Sequence, residues 1–463
     1  MQQTPHQRNA AHGGAHPMRA FLLRLHLYVS VLIAPFLLIA ALTGLLFVLT
    51  PQIESHLYAD VLYTKSKGAP QSLADQAQAA RDYINDSLDI SMVRPAPTAS
   101  ETTRVLFSDP TLRASENRTI FVDPRTLEIK GDMTTYGTSG ILPFRIAIDH
   151  FHRDLLLGDW GRYYSELAAS WLWIIVISGT VLWATRSRKR LALSRLPPQA
   201  RRRWLHGTVG VTAGLLLVFL SLTGLTWSQE AGSRIQSLRT LMDWKTPSIS
   251  LSLPHAAVRP SSAVHTDDEH AGHLKSTIPA RAADVSVRED RAKELDAVYN
   301  AARAAGIDSP YMEIRLPKPG AAWSVREYDR SWPTQVDAIA LHPANLEVTS
   351  RADFATFGLV PKLVRWGIDA HMGILFGWPN QLLMATGALS LMFVIVYGYV
   401  IWWKRNPRAI EPLTRSWKQL PVWLRVVWLL VAITLGWALP LVGASLMAFI
   451  VIDMLLAKRT HTK

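Results

Sequence analysis

Long apolar runs alternate with mixed polar segments along the 463-residue chain. A bilayer core about 30 Å thick needs about 20 helical residues, so a run of that length predicts a membrane-spanning helix. Four runs qualify, at residues 21–49, 167–185, 205–227 and 381–403. The first is too long for the core of a signal peptide and no small-residue cleavage site follows it, so it is predicted to remain as an anchor.

A fifth apolar stretch covers residues 422–457 and is interrupted at Gly436, Trp437 and Pro440. Gly and Pro are the residues that most often end a helix. We therefore interpret this stretch as a tight hairpin of two short spans.

Two long segments between the spans, residues 50–166 and 228–380, have the pattern of globular modules. Each opens with a helix-like stretch, at residues 72–84 and 291–305, and continues with short runs of alternating apolar and polar residues. Such alternation is typical of β-strands. The strand-like runs are residues 104–107, 119–122, 311–316, 323–327 and 336–341. The pattern predicts a small α+β module in each segment.

Basic side chains are concentrated in the short links between spans. Residues 186–204 hold eight basic and no acidic side chains, and residues 404–425 hold six basic side chains and one Glu. Lys and Arg beside spans mark the cytoplasmic side of a membrane. The links and both termini are therefore predicted to be cytoplasmic, with the two modules outside. Topology then accounts for the net charge of +13, and no nucleic-acid partner is expected.

The predicted fold class is an α-helical integral membrane protein with a duplicated span–module–span unit and a C-terminal transmembrane hairpin. The first half is predicted to contain a cytoplasmic N-terminus (1–20), a first span (21–49), a first outer module with an interfacial helix (50–166) and a second span (167–185). A basic loop (186–204) leads to the second half, with a third span (205–227), a second outer module with a His-containing insertion and an interfacial helix (228–380), and a fourth span (381–403). A cytoplasmic loop (404–421), the fifth and sixth spans (422–457) and a cytoplasmic tail (458–463) complete the predicted order.

Composition limits the chemistry that the chain can carry. Apolar residues make up 49% and charged residues 18%, and seventeen Trp and twelve Tyr suit a protein with two membrane–water interfaces. The chain has no Cys, which excludes disulfides, iron–sulfur clusters, thiolate zinc sites and c-type haem attachment. Any metal must therefore be held by His, carboxylate or Met.

The most informative feature is an internal repeat. A shift of 219 residues places His152 on His371 without a gap across more than sixty residues. The same shift aligns Asp123 with His342, Pro124 with Pro343, Leu127 with Leu346, Glu128 with Glu347, Gly158 with Gly377, Gly179 with Gly398, Trp183 with Trp402 and Arg186 with Arg405. A shift of 180 places His26 on His206, and Leu42, Thr43 and Gly44 on Leu222, Thr223 and Gly224. Two similar halves in one bilayer predict a pseudo-twofold axis along the membrane normal.

Four of the fifteen histidines thus form two matched pairs. The inner pair, His26 and His206, is at the cytoplasmic starts of two spans, each 18 residues (roughly 27 Å of helix) before the Gly of its motif. The outer pair, His152 and His371, is on helix-like segments 142–157 and 360–376, before the other two spans. Imidazoles opposed across an axis are the arrangement that holds a planar iron porphyrin through both axial positions, which favours electron transfer. The alternative interpretation of each histidine is a polar anchor at the membrane interface.

Other residues have both a cofactor interpretation and a simpler one. Six glycines would let a flat macrocycle approach the spans, or would serve ordinary helix packing: Gly44, Gly179, Gly210, Gly214, Gly224 and Gly398. Four arginines are candidates for haem propionates, or are interfacial anchors: Arg24, Arg203, Arg153 and Arg365.

The remaining histidines are assigned to other roles. His150 is two residues from His152, about 200° around a helix, and Asp369 stands at its equivalent position, so we place it behind the ligand or on the surface. His56 has no counterpart in the second half. A further cluster with nearby acidic residues could bind a metal loosely, although a solvated loop is the simpler interpretation. It consists of His255, His265, His270 and His273.

The first four predicted spans contain no Asp or Glu, which counts against a proton-coupled transporter. The chain also has no dinucleotide-binding or P-loop motif. Electrons that enter from the cytoplasm must therefore come from another protein or a quinol.

The paired motifs resemble the PepSY-associated transmembrane family, over roughly residues 19–405. They are the repeated Leu-His…Leu-Thr-Gly and the Asp-Pro or His-Pro…Leu-Glu…His…Gly before a span that ends in Trp and Arg. Members are bacterial inner-membrane proteins with PepSY-like modules in the periplasm, and they include ferrisiderophore reductases with haem held by His at both membrane faces. The resemblance implies two haem b groups, one held by His26 with His206 and one by His152 with His371.

The resulting hypothesis is a dihaem transmembrane oxidoreductase that reduces a periplasmic acceptor, ferric iron in a siderophore. Siderophores hold Fe³⁺ through hard oxygen ligands and Fe²⁺ much more weakly, so an added electron releases the metal. No side chain is expected to act as acid or base. Two alternatives stay open: a haem-free membrane protein whose modules bind peptide or regulate a protease, and a metal or siderophore permease.

Overall fold

A computed structural model describes residues 17–185, 196–253, 291–404 and 413–461, with side chains to residue 455. Its helices are α1 (Pro17–Leu57), α2 (Ala59–Leu62), α3 (Leu73–Tyr83), α4 (Pro143–Asp154), α5 (Asp159–Ala184), α6 (Pro198–Thr212), α7 (Gly214–Leu225), α8 (Glu230–Leu241), α9 (Leu295–Ala304), α10 (Leu359–His371), α11 (Trp378–Trp403), α12 (Leu413–Lys418), α13 (Val422–Ala438) and α14 (Pro440–His461). The segment with His255, His265, His270 and His273 lies outside the described residues.

Three described helices, α1, α5 and α11, are long and apolar enough to cross a bilayer. Helices α6 and α7 together make a fourth candidate span. The chain is therefore a membrane protein. Helix α1 has 41 residues, which is about 60 Å of helix, so it continues well beyond the apolar run at 21–49.

The third predicted span is not one straight helix. Helices α6 and α7 meet at Ala213 with a bend of 55°. Gly214 begins α7, and a Cβ atom there would be 3.2 Å from the Val176 side chain. Glycine at this position permits both the break and the close approach of α5, which apolar periodicity alone does not encode.

The last two helices separate where Pro440 interrupts the apolar stretch. Helix α13 ends at Ala438 and α14 begins at Pro440, because Pro suits the first turn of a helix and not its interior. Their backbones approach at two glycines, since a Cβ on Gly443 would be 2.9 Å from the Gly436 Cα.

The strands form one continuous antiparallel sheet. They are β1 (Ile90–Arg94), β2 (Thr103–Phe107), β3 (Glu116–Val122), β4 (Ile129–Tyr136), β5 (Met312–Arg315), β6 (Trp323–Glu327), β7 (Ala338–Leu341) and β8 (Val348–Ala352). Their order is β4-β3-β2-β1-β5-β6-β7-β8. The sequence predicted a separate module in each half, whereas the halves share the sheet through the pairs Met92–Arg315 and Val93–Ile314.

Side-chain alternation gives the sheet two different faces. One face packs against α3 and α9 around residues that are wholly buried, among them Val93, Val105, Ile314 and Trp323. The opposite face of the four central strands carries charged residues: Arg94, Arg104, Glu313, Arg315 and Arg326.

Equivalent elements recur at the 219-residue interval found in the sequence. Helices α5 and α11 both have 26 residues and begin at Asp159 and Trp378. Leu127 and Leu346 both have positive φ, 62° and 57°, in matching turns. By contacts the chain separates into two compact units, residues 1–42, 157–235 and 386–463, and residues 43–156 and 236–385. The inner pair belongs to the first unit and the outer pair to the second.

Candidate functional site

The first unit brings the inner pair together. His26 on α1 and His206 on α6 have their ring centroids 6.4 Å apart, with ring planes at 83°. A metal–imidazole nitrogen bond is about 2 Å long, so two imidazoles on opposite sides of one metal have centroids roughly 6 to 6.5 Å apart. The observed separation therefore suits a metal between the rings.

Hydrogen bonds at Nδ1 fix how these two rings are presented. The His206 Nδ1–H donates to the Val394 carbonyl oxygen at 3.0 Å. The Ser178 hydroxyl donates to the Ile175 carbonyl oxygen at 3.0 Å, so its oxygen accepts from the His26 Nδ1–H, also at 3.0 Å. With both Nδ1 atoms protonated, each Nε2 keeps the lone pair that a metal needs.

Glycines lie against both rings. A Cβ on Gly179 would be 3.0 Å from the His26 Cε1 atom, and a Cβ on Gly398 would be 3.4 Å from the His206 Cε1 atom. These glycines are equivalent by the 219-residue shift. Two other glycines of the predicted set serve helix packing, since Gly210 faces Val394 and Gly214 faces Val176.

The outer pair has related local geometry. His152 is in the last turn of α4, its Nδ1 is 2.9 Å from the Thr43 hydroxyl, and a Cβ on Gly44 would be 3.3 Å from its Cε1. His371 ends α10. Burial and, to a lesser extent, repulsion from a protonated His152 lower the pKa of His371 to about 3. Both histidines belong to the second unit, and each lies in the last turn of its helix.

Ion pairs surround the outer pair. Asp369, two residues before His371, accepts a hydrogen bond from Arg330 at 2.6 Å and forms an ion pair with Arg365 at 2.9 Å. At the equivalent position His150 is buried, with its Nδ1 3.1 Å from the Asp154 carboxylate. His150 is therefore buried beside an acid and is not on the surface, which was one of the two places predicted for it.

The candidate propionate partners have protein contacts of their own. Arg153 donates to the Tyr136 hydroxyl at 3.2 Å and is 3.6 Å from Asp149, while Arg365 is bound to Asp369. Arg24 donates to the Ser416 hydroxyl. Arg203 is exposed on α6.

The donor set fits a metal that brings further ligands of its own. In the described ranges no group of three or more His, Cys, Asp or Glu could hold a metal ion, so each pair offers two imidazoles and nothing else. A porphyrin supplies the other four ligands and leaves two axial positions. Near the inner pair, Ser30 Oγ, Trp173 Nε1 and Thr208 Oγ1 are buried with no hydrogen-bond partner. Such atoms call for a partner, and the carboxylate edge of a porphyrin is one.

Three supporting groups are absent from the sequence prediction: Ser178, Val394 and the hydroxyl of Thr43. The Thr-Gly motif that contains Thr43 recurs at Thr223-Gly224, so the repeat carried a signal for it. Ser178 aligns with Tyr397 in the second half, and Val394 acts through its backbone carbonyl. The sequence repeat therefore marks neither of them.

Comparison with known families agrees with the family resemblance found in the sequence. The model of a family described as PepSY-associated TM region matches residues 23–405, a range that includes all four paired histidines. No curated protein matches the chain. The resemblance found in the repeated histidine motifs is thereby confirmed, and the chain belongs to the PepSY-associated transmembrane family.

Proposed function

We propose that this protein is a dihaem b-type reductase that passes electrons across a membrane to a periplasmic acceptor. His26 and His206 would hold one haem, and His152 and His371 the other. The observation that carries the proposal is the 6.4 Å separation of the inner rings, together with Nδ1 hydrogen bonds that leave Nε2 available. When bound between these imidazoles, haem would supply one-electron redox chemistry.

The protein residues would orient the imidazoles and keep space beside them, and none is needed as an acid or base. Ser178, the Val394 carbonyl and Thr43 orient three of the imidazoles, and the first two fix the protonated nitrogen of His26 and His206. Gly179 and Gly398 keep the space beside the inner rings free of side chains. No side chain is assigned an acid or base role, because electron transfer requires none.

The proposed setting is the bacterial inner membrane, with both termini cytoplasmic and the sheet unit in the periplasm. The basic links support the proposed cytoplasmic side. Helices α5 and α11, of equal length and 219 residues apart, support a duplicated unit. The paired glycines Gly436 and Gly443 support a terminal hairpin of α13 and α14.

The proposed acceptor is ferric iron in a siderophore chelate. Its hard oxygen ligands bind Fe³⁺ strongly and Fe²⁺ weakly, so reduction releases the metal. The electron donor is proposed to be a quinol or a cytoplasmic protein, since the chain has no nucleotide-binding motif of its own.

The first test is the visible spectrum of the purified protein, oxidised and dithionite-reduced, with haem counted per chain. We expect about two haems in the wild type, and a loss of about one in His26→Ala and of about one in His371→Ala, because each substitution removes one of only two axial ligands. The matched control is His56→Ala, which removes an exposed imidazole from α1. It should keep both haems.

Two outcomes would contradict the proposal. Wild-type protein without a Soret band favours the haem-free peptide-binding alternative. Unchanged haem content in both ligand variants refutes the assignment of the histidines.

A further inference from the structure

A surplus of positive charge lies on the face of the sheet opposite α3 and α9. Arg94 on β1 and Arg104 on β2 are direct cross-strand partners. Like charges in that relation repel each other and destabilise a sheet. Both guanidinium groups converge on Gly140, since a Cβ there would contact Nη1 of Arg94 and would be 3.7 Å from Nη1 of Arg104.

One carboxylate is shared among three of the arginines on this face. Glu313 accepts from Arg94 at 2.6 and 2.9 Å, and it is 2.7 Å from Arg326 and 3.6 Å from Arg315. Burial raises the pKa of Glu313, but the three arginines outweigh it and lower the pKa to about 2. This carboxylate is therefore ionised and engaged by three other arginines, and it forms no salt bridge with Arg104.

Arg104 is the under-paired member of the group. In the described ranges it makes no salt bridge, and its hydrogen bond is a long one, 3.4 Å from Nη1 to the Gly140 carbonyl oxygen. The guanidinium lies 5.5 Å from the centroid of the Phe121 ring, which holds it in place. It is partly exposed, so its remaining N–H donors are available to a ligand.

Two tyrosines border the same place. Tyr311 and Tyr328 are partly exposed, with ring centroids 5.8 Å apart, and Tyr328 also packs against Arg94 at 4.6 Å. Because Arg94 is the cross-strand partner of Arg104, the Tyr328 ring lies on the same part of this face as Arg104. Within the described part of the chain neither tyrosine hydroxyl has a hydrogen-bond partner. The result is a fixed cation beside two free O–H donors, with Glu101 also within electrostatic range of Arg104.

Contacts connect this place to the outer pair. Arg104 lies within electrostatic range of Glu54, whose carboxylate accepts the Arg145 backbone N–H at 2.9 Å. The Arg145 guanidinium lies 4.3 Å from the centroid of Phe47, one helical turn after Thr43, the partner of His152.

We infer that Arg104, with Tyr311 and Tyr328, binds a carboxylate of an anionic ferric chelate, so that the reducible substrates of this protein are carboxylate-bearing chelates and not neutral ones. That the bound chelate is a substrate rests on the proposed reductase function, whereas the anion site rests on its own contacts. A guanidinium paired with a carboxylate supplies two charge-assisted hydrogen bonds, and phenol hydroxyls complete the set.

Binding to the full-length, oxidised, detergent-purified protein tests the inference by titration calorimetry without any turnover. The probes are ferric citrate, which is anionic, and a neutral ferric trishydroxamate. We expect Arg104→Gln to weaken ferric citrate binding about tenfold or more and to leave the neutral chelate unaffected. Arg104→Lys should be intermediate, because it keeps the charge and loses the planar pair of donors.

The matched control is Arg118→Gln on β3, whose side chain is 36% exposed and pairs with Asp132 at 2.6 Å. Its affinity for ferric citrate should remain within about twofold of the wild type. Added salt should weaken binding in the wild type more than in Arg104→Gln. Haem content is measured on every variant and should not change.

Several results overturn the inference: no ferric citrate binding by the wild type, unchanged affinity in Arg104→Gln, an equal loss for the neutral chelate, or loss of haem in Arg104→Gln. The last would assign Arg104 to the cofactor. A haem-free wild type that still binds ferric citrate through Arg104 would refute the proposed reductase and leave the anion site standing.

Discussion

The inner and outer histidine pairs use the same residue types in different electrical surroundings. His26 and His206 contact a hydroxyl, a backbone carbonyl and two glycines. Around His152 and His371 the neighbours include the paired ions of Asp369 and Arg330. Neutral contacts hold a ligand in place, whereas nearby charges also change the energy of an electron added to the site. His152 has a hydroxyl and a glycine contact of the same kind, so the comparison predicts control by packing at both pairs and an added effect of charge at the outer pair.

The largest expected effect comes from removing the charge of Asp369. Asp369→Asn leaves Arg330 buried without its anion, and the two side chains are only 4% and 2% exposed. Breaking a buried ion pair costs about 3 to 5 kcal/mol. Thermal unfolding in detergent should show this loss, and haem content should fall toward one per chain as the outer pair loses its support.

Asp353→Asn is the control for that change. It removes a partner of Arg351 in a pair that is 38% and 31% exposed, where about 0 to 1 kcal/mol is at stake. Equal losses of stability in Asp369→Asn and Asp353→Asn would remove charge as the feature that distinguishes the outer pair.

Gly179→Ala tests the inner pair in the corresponding way. The new Cβ would be 3.0 Å from the His26 Cε1 atom, and overpacking of this kind costs about 1 to 3 kcal/mol. Haem counting should give about one per chain, with the outer haem kept. Gly210→Ala adds the same methyl group with 3.9 Å to its nearest neighbour, and it should keep two. Full haem content in Gly179→Ala would contradict control by packing.

Acid should weaken the unit that contains the outer pair through Asp123. Burial raises the pKa of Asp123, but hydrogen bonds from Thr64, the Arg125 N–H and Ser66 outweigh it and lower the pKa to about 2. The folded value is below the ordinary one, so the contribution to stability is full above about pH 4, amounts to about 2 kcal/mol, and is lost as the pH falls toward 2.

The measurement is the thermal midpoint of wild type and Asp123→Asn between neutral pH and pH 3. The difference between the two should shrink as the pH falls. His342 fills the equivalent turn and accepts the Ala344 N–H at 3.2 Å, so a neutral acceptor is compatible with this turn. A constant difference across the pH range would show that Asp123 acts through shape and not through charge.

Apolar run length was enough to find the long helices, because a bilayer imposes a fixed length on a span. It was not enough to place the bend at Ala213, since an apolar run has the same appearance whether the helix is straight or broken. Strands β1, β4 and β8 were missed. In β4 and β8, polar residues and Gly131 interrupt the alternation. The pairing of β1 with β5 is a contact between distant parts of the chain, and no local pattern encodes it.

For the site, the repeat identified both histidine pairs and the glycines beside them. The structure brings the ring centroids of His26 and His206 to 6.4 Å, with the ring planes nearly perpendicular. What the sequence could not provide is the hydrogen-bond partner of each ring, because a carbonyl such as that of Val394 leaves no trace in residue identity.

The strand pair that joins the two halves sets an order on biosynthesis. Strand β1 can pair with β2 soon after both are synthesised, because β2 follows it within a few residues. Its other edge stays unpaired until β5 is synthesised, 218 residues after Arg94. At usual ribosome speeds that wait is roughly 10 to 40 s. During it the edge of a half-built sheet is open to wrong partners. A chaperone that shields nascent edges, or slow delivery of the second half, would therefore govern the yield of this protein.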